Sequence, residues 1–214
     1  MSEVQGKLND LKIVGGALCL DFANTVAWRR NGDFGNHLLD YADLIAWGGH
    51  VGTLDEMLAD TLRNRAASHP KLAQAAYNRA IALREAIYRI FSSFSTGDSI
   101  RKSDLARLNA SLAAALKHLR IVNREKTFVL DWHEVEGELD LPLWMVARSA
   151  VDLLASERLP RVHECRGQDC GWLFLDQSRN RSRRWCDMAD CGNREKARRN
   201  YARKRGAAAA SKAS

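Results

Sequence analysis

Cys165-Arg-Gly-Gln-Asp-Cys170 and Cys186-Asp-Met-Ala-Asp-Cys191 are two Cys-x4-Cys pairs, and fifteen residues separate them. Paired thiolates at short spacing are the ligands of tetrahedral zinc sites. Disulfides, an iron–sulfur cluster and plain buried thiols are the alternatives. We predict one structural Zn²⁺ held by Cys165, Cys170, Cys186 and Cys191, with the iron–sulfur cluster as the main alternative.

The N-terminal segment bears on the redox environment of these cysteines. Met1–Asp10 is polar, and the apolar run Ile13–Leu20 is short and broken by Gly15 and Gly16. Such a run predicts neither a secretory signal nor a membrane span, so we expect a cytoplasmic protein with no membrane partner. Reducing conditions there disfavour disulfides, and Cys19, in an apolar context, is expected to be a buried small hydrophobe.

The basic charge of the chain is concentrated in its cysteine-rich part. Residues 158–205 carry 14 Lys and Arg against 6 Asp and Glu, a net +8, whereas residues 1–157 carry 18 against 20, a net −2. A basic patch confined to one small module indicates a polyanionic partner, because neutralised phosphates release counterions. Nucleic acid is the leading candidate.

The first 157 residues predict a mainly helical domain with one β-hairpin. A short helix is expected over Asp40–Trp47, stopped by Gly48, and a second begins with a capping box at Thr53 and Glu56. Apolar residues at helical intervals then predict a long core helix from Lys71 to Phe94. The further elements are a helix capped by Ser103 with Leu105, Leu108, Leu112 and Leu116 on one face, a hairpin of Leu119–Val122 with Thr127–Trp132, and a helix starting near Pro142.

A short hinge at residues 158–160 is expected to lead into a small treble-clef-like zinc finger over residues 158–205. Gly171–Asp176 is predicted to be a strand in a hairpin that returns through Arg184-Trp185. Asn193 is expected to cap a helix over residues 194–205, with Ala197 and Tyr201 facing the metal core. Residues 206–214 have little to bury and predict a disordered tail.

The finger carries the basic residues that we expect to contact DNA. A solvated, charged helix face is the alternative reading of the same residues. His163 precedes the first cysteine, but four thiolates already close the tetrahedron, so it is not expected to be a ligand. The predicted DNA-binding residues are Arg179, Arg181, Arg183, Arg184, Arg194, Lys196, Arg198, Arg199, Arg203 and Lys204.

Three polar residues stand within apolar runs of the first domain. Asp21, Asn24 and Arg148 are candidates for a pocket that binds a small-molecule effector. Hydrogen bonds within the core, such as a buried pair of Asp21 with Arg148, are the favoured alternative, because buried polar groups are normally satisfied by one another. The near-neutral first domain is also the expected interface of a homodimer.

The finger motif resembles a known family. The run from Cys165 to Asp176, then Arg184-Trp-Cys186, then Cys191-Gly-Asn-Arg194, is similar to the CGNR zinc finger. Leu18–Thr25 and Leu141–Arg148 are similar to the ABATE domain, which commonly precedes that finger and whose proteins are described as candidate stress-induced transcription regulators. The resemblance implies zinc-dependent DNA binding by the finger and a sensing role for the first domain.

Catalytic motifs are missing from the sequence. It contains no Gly-x4-Gly-Lys, His-Glu-x-x-His or Gly-x-Ser-x-Gly pattern, and four thiolates leave no open coordination position. We therefore expect a binding protein and not an enzyme. A DNA-binding transcription regulator is the leading hypothesis, and an RNA-binding protein or a protein-interaction module is the alternative.

Overall fold

The computed structural model describes residues 11–27, 29–30 and 35–212, with side chains up to Arg205. Residues 1–10 of the expected first domain and residues 213–214 of the expected tail lie outside these ranges. Within them, no helix is both long and apolar enough to cross a membrane.

The fold is mainly helical, with three small antiparallel strand pairs. We number the helices of the described residues α1 to α7 in chain order: Leu18–Ala23, Tyr41–His50, Glu56–Ser68, Pro70–Thr96, Lys102–Leu116, Leu141–Leu154 and Asn193–Lys212. The strands β1 to β6 pair in sequence order: Val26–Ala27 with Gly35–Asn36, Leu119–Arg124 with Thr127–Trp132, and Val162–Glu164 with Leu173–Leu175.

The starts of the short helices correct two of the predicted caps. Asp55, not Thr53, caps α3 by accepting the Leu58 N–H at 2.8 Å. Thr53 instead donates its hydroxyl to the Gly48 carbonyl at the end of α2, so it is unavailable as a cap. Helix α5 begins at Lys102 without a side-chain cap, so the predicted Ser103 cap is also wrong.

Helix α4 is the central element of the core, as its periodicity predicts. Pro70 opens it at the first turn, and Gly97 ends it in the left-handed conformation at φ +81°. Leu83, Ile87, Ile90 and Phe91 are fully buried along one face.

The predicted apolar face of α5 is only partly correct. Leu108 is buried, whereas Leu105 and Leu116 are 37% and 50% exposed. Asp104 and Ala115 lie on the buried side together with Leu108, and Asp104 pairs with the Arg89 guanidinium of α4 at 2.6 Å. The buried side of α5 therefore includes a carboxylate that its leucine periodicity does not indicate.

The hairpin β3–β4 is confirmed, with a two-residue turn at Glu125–Lys126. Its register pairs Ile121 with Leu130 and Asn123 with Phe128. Directly opposed residues share a face of the ribbon. This face projects Ile121 and Phe128 into solvent, 70% and 74% exposed.

The finger packs into the core of the helical domain through its two strands. Val162, Leu173 and Leu175 are at most 1% exposed and belong to the same apolar cluster as the helices. The partner of β6 is the strand before Cys165, so the prediction of a hairpin returning through Arg184-Trp185 is wrong. The two strands flank the first cysteine pair, and a shared core fixes the finger against the helices.

Helix α7 departs from the sequence prediction at both ends. Asn193 is its first residue, and the Asn193 amide donates to the Ala189 carbonyl at 3.0 Å instead of capping the helix. The Asp187 carboxylate caps the preceding turn Met188–Gly192 by accepting the Ala189 N–H at 2.8 Å. The helix runs to Lys212, through most of the segment predicted to be disordered, consistent with the high helix propensity of alanine. Ala197 and Tyr201 are exposed and do not face the metal core.

Candidate metal centre and basic surface

The four predicted zinc ligands meet at one point. Their sulfur atoms all lie within 4.8 Å of one another, and the Sγ atom of Cys186 is 3.6 Å from those of Cys170 and Cys191. A tetrahedron with zinc–sulfur bonds of about 2.3 Å has edges of about 3.8 Å, which matches these distances. An iron–sulfur cluster holds its thiolates farther apart, because iron and sulfide lie between them. The geometry therefore fits a single ion.

Local backbone and one guanidinium stabilise the thiolates. Cys165 Sγ accepts the N–H of Cys186 at 3.2 Å and that of Gly167 at 3.4 Å. Arg194 donates Nη2 to Cys191 Sγ at 3.1 Å and also pairs with Asp190 at 3.2 Å. Four thiolates around Zn²⁺ carry a net charge of −2, and such donors offset it.

The turn before α7 ends in a closely packed glycine. A Cβ atom on Gly192 would lie 2.5 Å from Met188 Sδ, the end of a flexible side chain, and 3.1 Å from Trp185 Cδ1. The turn Met188–Gly192 carries Cys191 into the site. Phe174 and Trp185 pack against the cysteines and shield them from water.

Three of the predicted DNA-binding arginines are engaged within the finger. Arg183 donates to the carbonyls of Val14, Trp185 and Cys186, and its guanidinium lies 4.5 Å above the Phe174 ring. Arg194 serves the thiolates, as described above. Arg198 pairs with Glu195 at 2.8 Å and with Asp169 at 3.5 Å. These side chains hold the finger together.

The other seven predicted residues are exposed and have no side-chain partner among the described residues. They are Arg179, Arg181, Arg184, Lys196, Arg199, Arg203 and Lys204. Sequence reasoning missed Arg166, an exposed residue between the first two cysteines. It lines a cleft of about 490 Å³ with Arg181 and Arg184. The sequence feature that indicates a role for Arg166 is its position inside the first Cys-x4-Cys loop. His163 lines the same cleft and is not among the clustered metal ligands.

The structure does not bring the three predicted effector residues into one pocket. Asn24 is 1% exposed and exchanges two hydrogen bonds of 2.8 Å with the main chain of Leu173 in β6. Asp21 accepts the Gly15 N–H at 2.7 Å, and the Gly15 carbonyl accepts from Leu175. Arg148 pairs with Asp152 on the exposed side of α6, so the expected Asp21–Arg148 pair is not formed. Asp21 and Asn24 instead attach α1 to the finger.

Asp21 should make stability depend on pH. Burial raises its pKa to about 6, against the opposing N–H groups of Gly15 and Val14 and the charge of Arg183. Since an unfolded aspartate has a pKa near 3.9, the folded chain binds more protons between these values, and its stability falls as pH rises through them. We expect the free energy of unfolding to fall by about 1 kcal/mol more in the native chain than in Asp21→Asn between about pH 5 and 7.5.

Urea denaturation of both chains across this range measures the difference. Other titrating groups contribute equally to the two chains, so the difference curve isolates Asp21. Parallel stability profiles would contradict the assignment of the raised pKa to this residue.

Two family models match the chain. The first, ABATE, carries the description "Putative stress-induced transcription regulator" and matches residues 16–157. The second, the CGNR zinc finger, matches residues 161–204 and includes all four clustered cysteines. A comparison with curated proteins finds no match. Because the first match spans well over half of the residues, the chain belongs to the ABATE family, and its CGNR finger is the site of one structural zinc ion.

Proposed function

We propose that the chain is a cytoplasmic, zinc-dependent transcription regulator that binds DNA through the basic surface of its finger. The observation that carries this proposal is the set of seven exposed basic side chains that lack a partner among the described residues. Unpaired guanidinium and ammonium groups retain their full charge for phosphates, whereas ion-paired groups must first break an internal contact.

The C-terminal helix is presented in a way that suits groove binding. From Lys196 to Arg205 every residue of α7 is exposed. The turn Met188–Gly192, which carries Cys191 and is capped by Asp187, leads directly into it. A helix is about 10–12 Å across with its side chains, and the DNA major groove is about 12 Å wide. Zinc therefore supports the base of a helix whose remaining surface is free to meet DNA.

The cleft beside the zinc knuckle extends the same basic surface. Arg166, Arg181 and Arg184 line it. The Arg184 main-chain carbonyl accepts the Arg166 main-chain N–H at 3.1 Å, and this bond joins the two loops. Phosphate contacts of this kind position a protein on the duplex and carry no sequence information themselves. We assign the cleft to the DNA backbone and α7 to the groove.

The proposal is for a binding role and not a catalytic one. Four thiolates fill the zinc tetrahedron and leave no position for a substrate. A single helix of this length reads few base pairs, which is the reason to expect a second copy on DNA. The homodimer stays a prediction.

A salt titration of DNA affinity tests the function. For roughly five neutralised phosphates we expect the log of the affinity to fall with the log of salt at a slope of about −4 to −5. Arg199→Ala with Arg203→Ala should flatten this slope by about 2, because both side chains are exposed and unpaired. Fluorescence anisotropy of zinc-loaded protein on labelled duplexes gives the measurement.

A control variant distinguishes the loss of a DNA contact from the loss of net positive charge. Arg120→Ala with Arg124→Ala removes the same charge from the hairpin β3–β4, where both arginines flank Asp131. This variant should keep the native slope. If the duplex does not bind at low salt, or if the finger variant keeps the full slope, the finger does not contact DNA, and docking to an acidic protein becomes the better hypothesis.

One observation favours a second candidate, a single-stranded RNA partner. Tyr201, predicted to face the metal core, has a side chain that is 65% exposed on the basic helix, with Arg205 5.9 Å from the ring centroid. Exposed aromatic rings among basic residues stack on unpaired bases, with about 1–3 kcal/mol per base. In the same titration, tighter binding of single-stranded RNA that Tyr201→Ala abolishes would favour this candidate.

A further inference from the structure

A charged cavity opens in the helical domain, and none of the predicted DNA-binding residues lines it. It has a volume of about 460 Å³ and lies between the β1–β2 pair and α4. Six polar or charged residues line it: Arg29, Asn36, Arg84, Glu85, Tyr88 and Arg89. None of them belongs to the effector pocket expected from the sequence.

Two of the arginines lining the cavity are buried and share one carboxylate. The side chains of Arg29 and Arg84 are each 5% exposed. Arg29 Nη1 lies 2.9 Å from Glu85 Oε2, and Arg84 Nε lies 2.9 Å from Glu85 Oε1. Arg89 is neutralised elsewhere, by Asp104 at 2.6 Å. Among the described residues the cavity therefore holds one positive charge in excess, and an uncompensated buried charge is costly.

The hydrogen bonding of Arg29 is also incomplete. Its Nε atom is buried and has no hydrogen-bond partner among the described residues. Its guanidinium plane is fixed by stacking, 3.9 Å from the centroid of the Tyr88 ring. Burial lowers the pKa of Arg84; the charge of Glu85 opposes this shift, and the charge of Arg29 adds to it. A planar, partly unsatisfied guanidinium is suited to an oxyanion.

The same wall of the cavity supports the zinc knuckle. The Arg29 main-chain N–H donates to the Cys170 carbonyl at 3.1 Å, and that of Arg30 donates to Asp169 at 3.3 Å. Gly171, at φ +73°, packs so closely that a Cβ atom there would lie 3.1 Å from Arg29 Cβ and 3.3 Å from the Tyr88 hydroxyl. Anything that holds Arg29 in place also holds the loop that carries a zinc ligand.

We propose that this cavity binds a small molecule through a carboxylate or phosphate group, with Arg29 and Arg84 as the anion-binding residues, and that occupancy steadies the zinc knuckle through Arg29. The anion supplies the missing negative charge and an acceptor for the buried donor. A regulatory role for the bound anion rests on the proposed function, whereas the binding of the anion does not.

Thermal unfolding of the zinc-loaded full chain tests the site. Inorganic phosphate and succinate are the probes, each compared with chloride at equal ionic strength, and they separate a phosphate ligand from a carboxylate ligand. At about ten times the dissociation constant we expect the melting temperature to rise by about 3–6 °C with at least one probe. Calorimetric titration supplies the dissociation constant.

Two variants should respond in opposite directions. Arg84→Gln leaves Arg29 and Glu85 as a balanced pair and should abolish the shift. Glu85→Gln leaves two buried guanidinium groups without their carboxylate, so it should melt lower without the anion and bind the anion at least about tenfold more tightly. This gain keeps the test decisive if Arg84→Gln does not fold. Arg79→Gln is the matched control, because Arg79 lies on the same helix and pairs with Asp140 outside the cavity.

Three results would overturn the anion site: no shift with either probe, a native response in both cavity variants, or loss of the shift in Arg79→Gln. The link to zinc has its own measurement, the rate of zinc transfer to a chromogenic chelator. We expect the anion to slow this rate up to about tenfold, because release requires local opening of the knuckle. Anion binding with an unchanged rate would refute the link. If the chain binds the anion but not DNA, the anion site is supported and only the proposed function is refuted.

Discussion

Removing zinc, or replacing Cys170 by serine, is expected to unfold the helical domain together with the finger. Structural zinc contributes about 10–16 kcal/mol to the folding of small finger peptides, and whole domains are stable by only about 5–15 kcal/mol. Here β6 and Val162 lie in the same apolar core as the helices. We therefore expect Cys170→Ser to lose more than about 5 kcal/mol, in one transition that includes the helical signal.

Circular dichroism at the helical band, followed through chelator titration and urea denaturation, measures this loss. Cys19→Ala is the matched control, because Cys19 is fully buried in the helical core but is not a zinc ligand. It should keep one equivalent of zinc and lose only about 1–2 kcal/mol for a small cavity. Full helicity and an unchanged midpoint in Cys170→Ser would show that the two parts fold independently.

Asn24→Ala is expected to have the second largest effect. The Asn24 amide satisfies both the N–H and the carbonyl of Leu173 at 2.8 Å, in a site that is 1% exposed. Alanine leaves both main-chain groups buried without partners, at about 1–3 kcal/mol each. We therefore expect a loss of about 3–5 kcal/mol, together with faster release of zinc, since β6 follows directly after the knuckle.

Urea denaturation and the chelator assay provide the two readouts. Asn64→Ala, on the exposed face of α3, should change stability by less than about 0.5 kcal/mol. If Asn24→Ala were as mild as this control, the hydrogen bonds to Leu173 would not be what joins α1 to the finger.

The local elements could be predicted because their signals are local. Two Cys-x4-Cys loops fix the number and type of metal donors, so the zinc site needs no tertiary information. The heptad-like spacing of Leu83, Ile87 and Ile90 similarly predicts the buried face of α4, which is confirmed. The hairpin could be predicted because its two strands are adjacent and separated by a short polar turn.

The predictions that failed depend on competition between partners. Threonine and serine commonly cap helices. Here, however, the Thr53 hydroxyl donates to the Gly48 carbonyl, and α5 starts before Ser103. Leu105 and Leu116 fit the helical period, yet α5 buries the side that carries Asp104, Leu108 and Ala115. A sequence pattern indicates which interactions a residue is able to form. The partners that the fold places nearby decide which of these interactions it forms.

The basic residues show the same limit at the functional surface. Composition alone determines that the finger is positively charged and hence suited to a polyanion. It cannot separate Arg183 and Arg194, which the finger uses internally, from Arg199 and Arg203, which remain free for a partner.

The sequence by itself determined the zinc ligands, the basic finger and the main helical elements, because each follows from residue types at short spacing. Only the tertiary structure decided that Asn24 meets Leu173, that Arg29 and Arg84 share Glu85, and that the strands of the finger join the helical core. Asn24 and Leu173 are 149 positions apart, and no periodic pattern relates residues over such a distance. Their contact is set by the packing of the whole core, where each buried polar group takes the partner that the fold brings within reach.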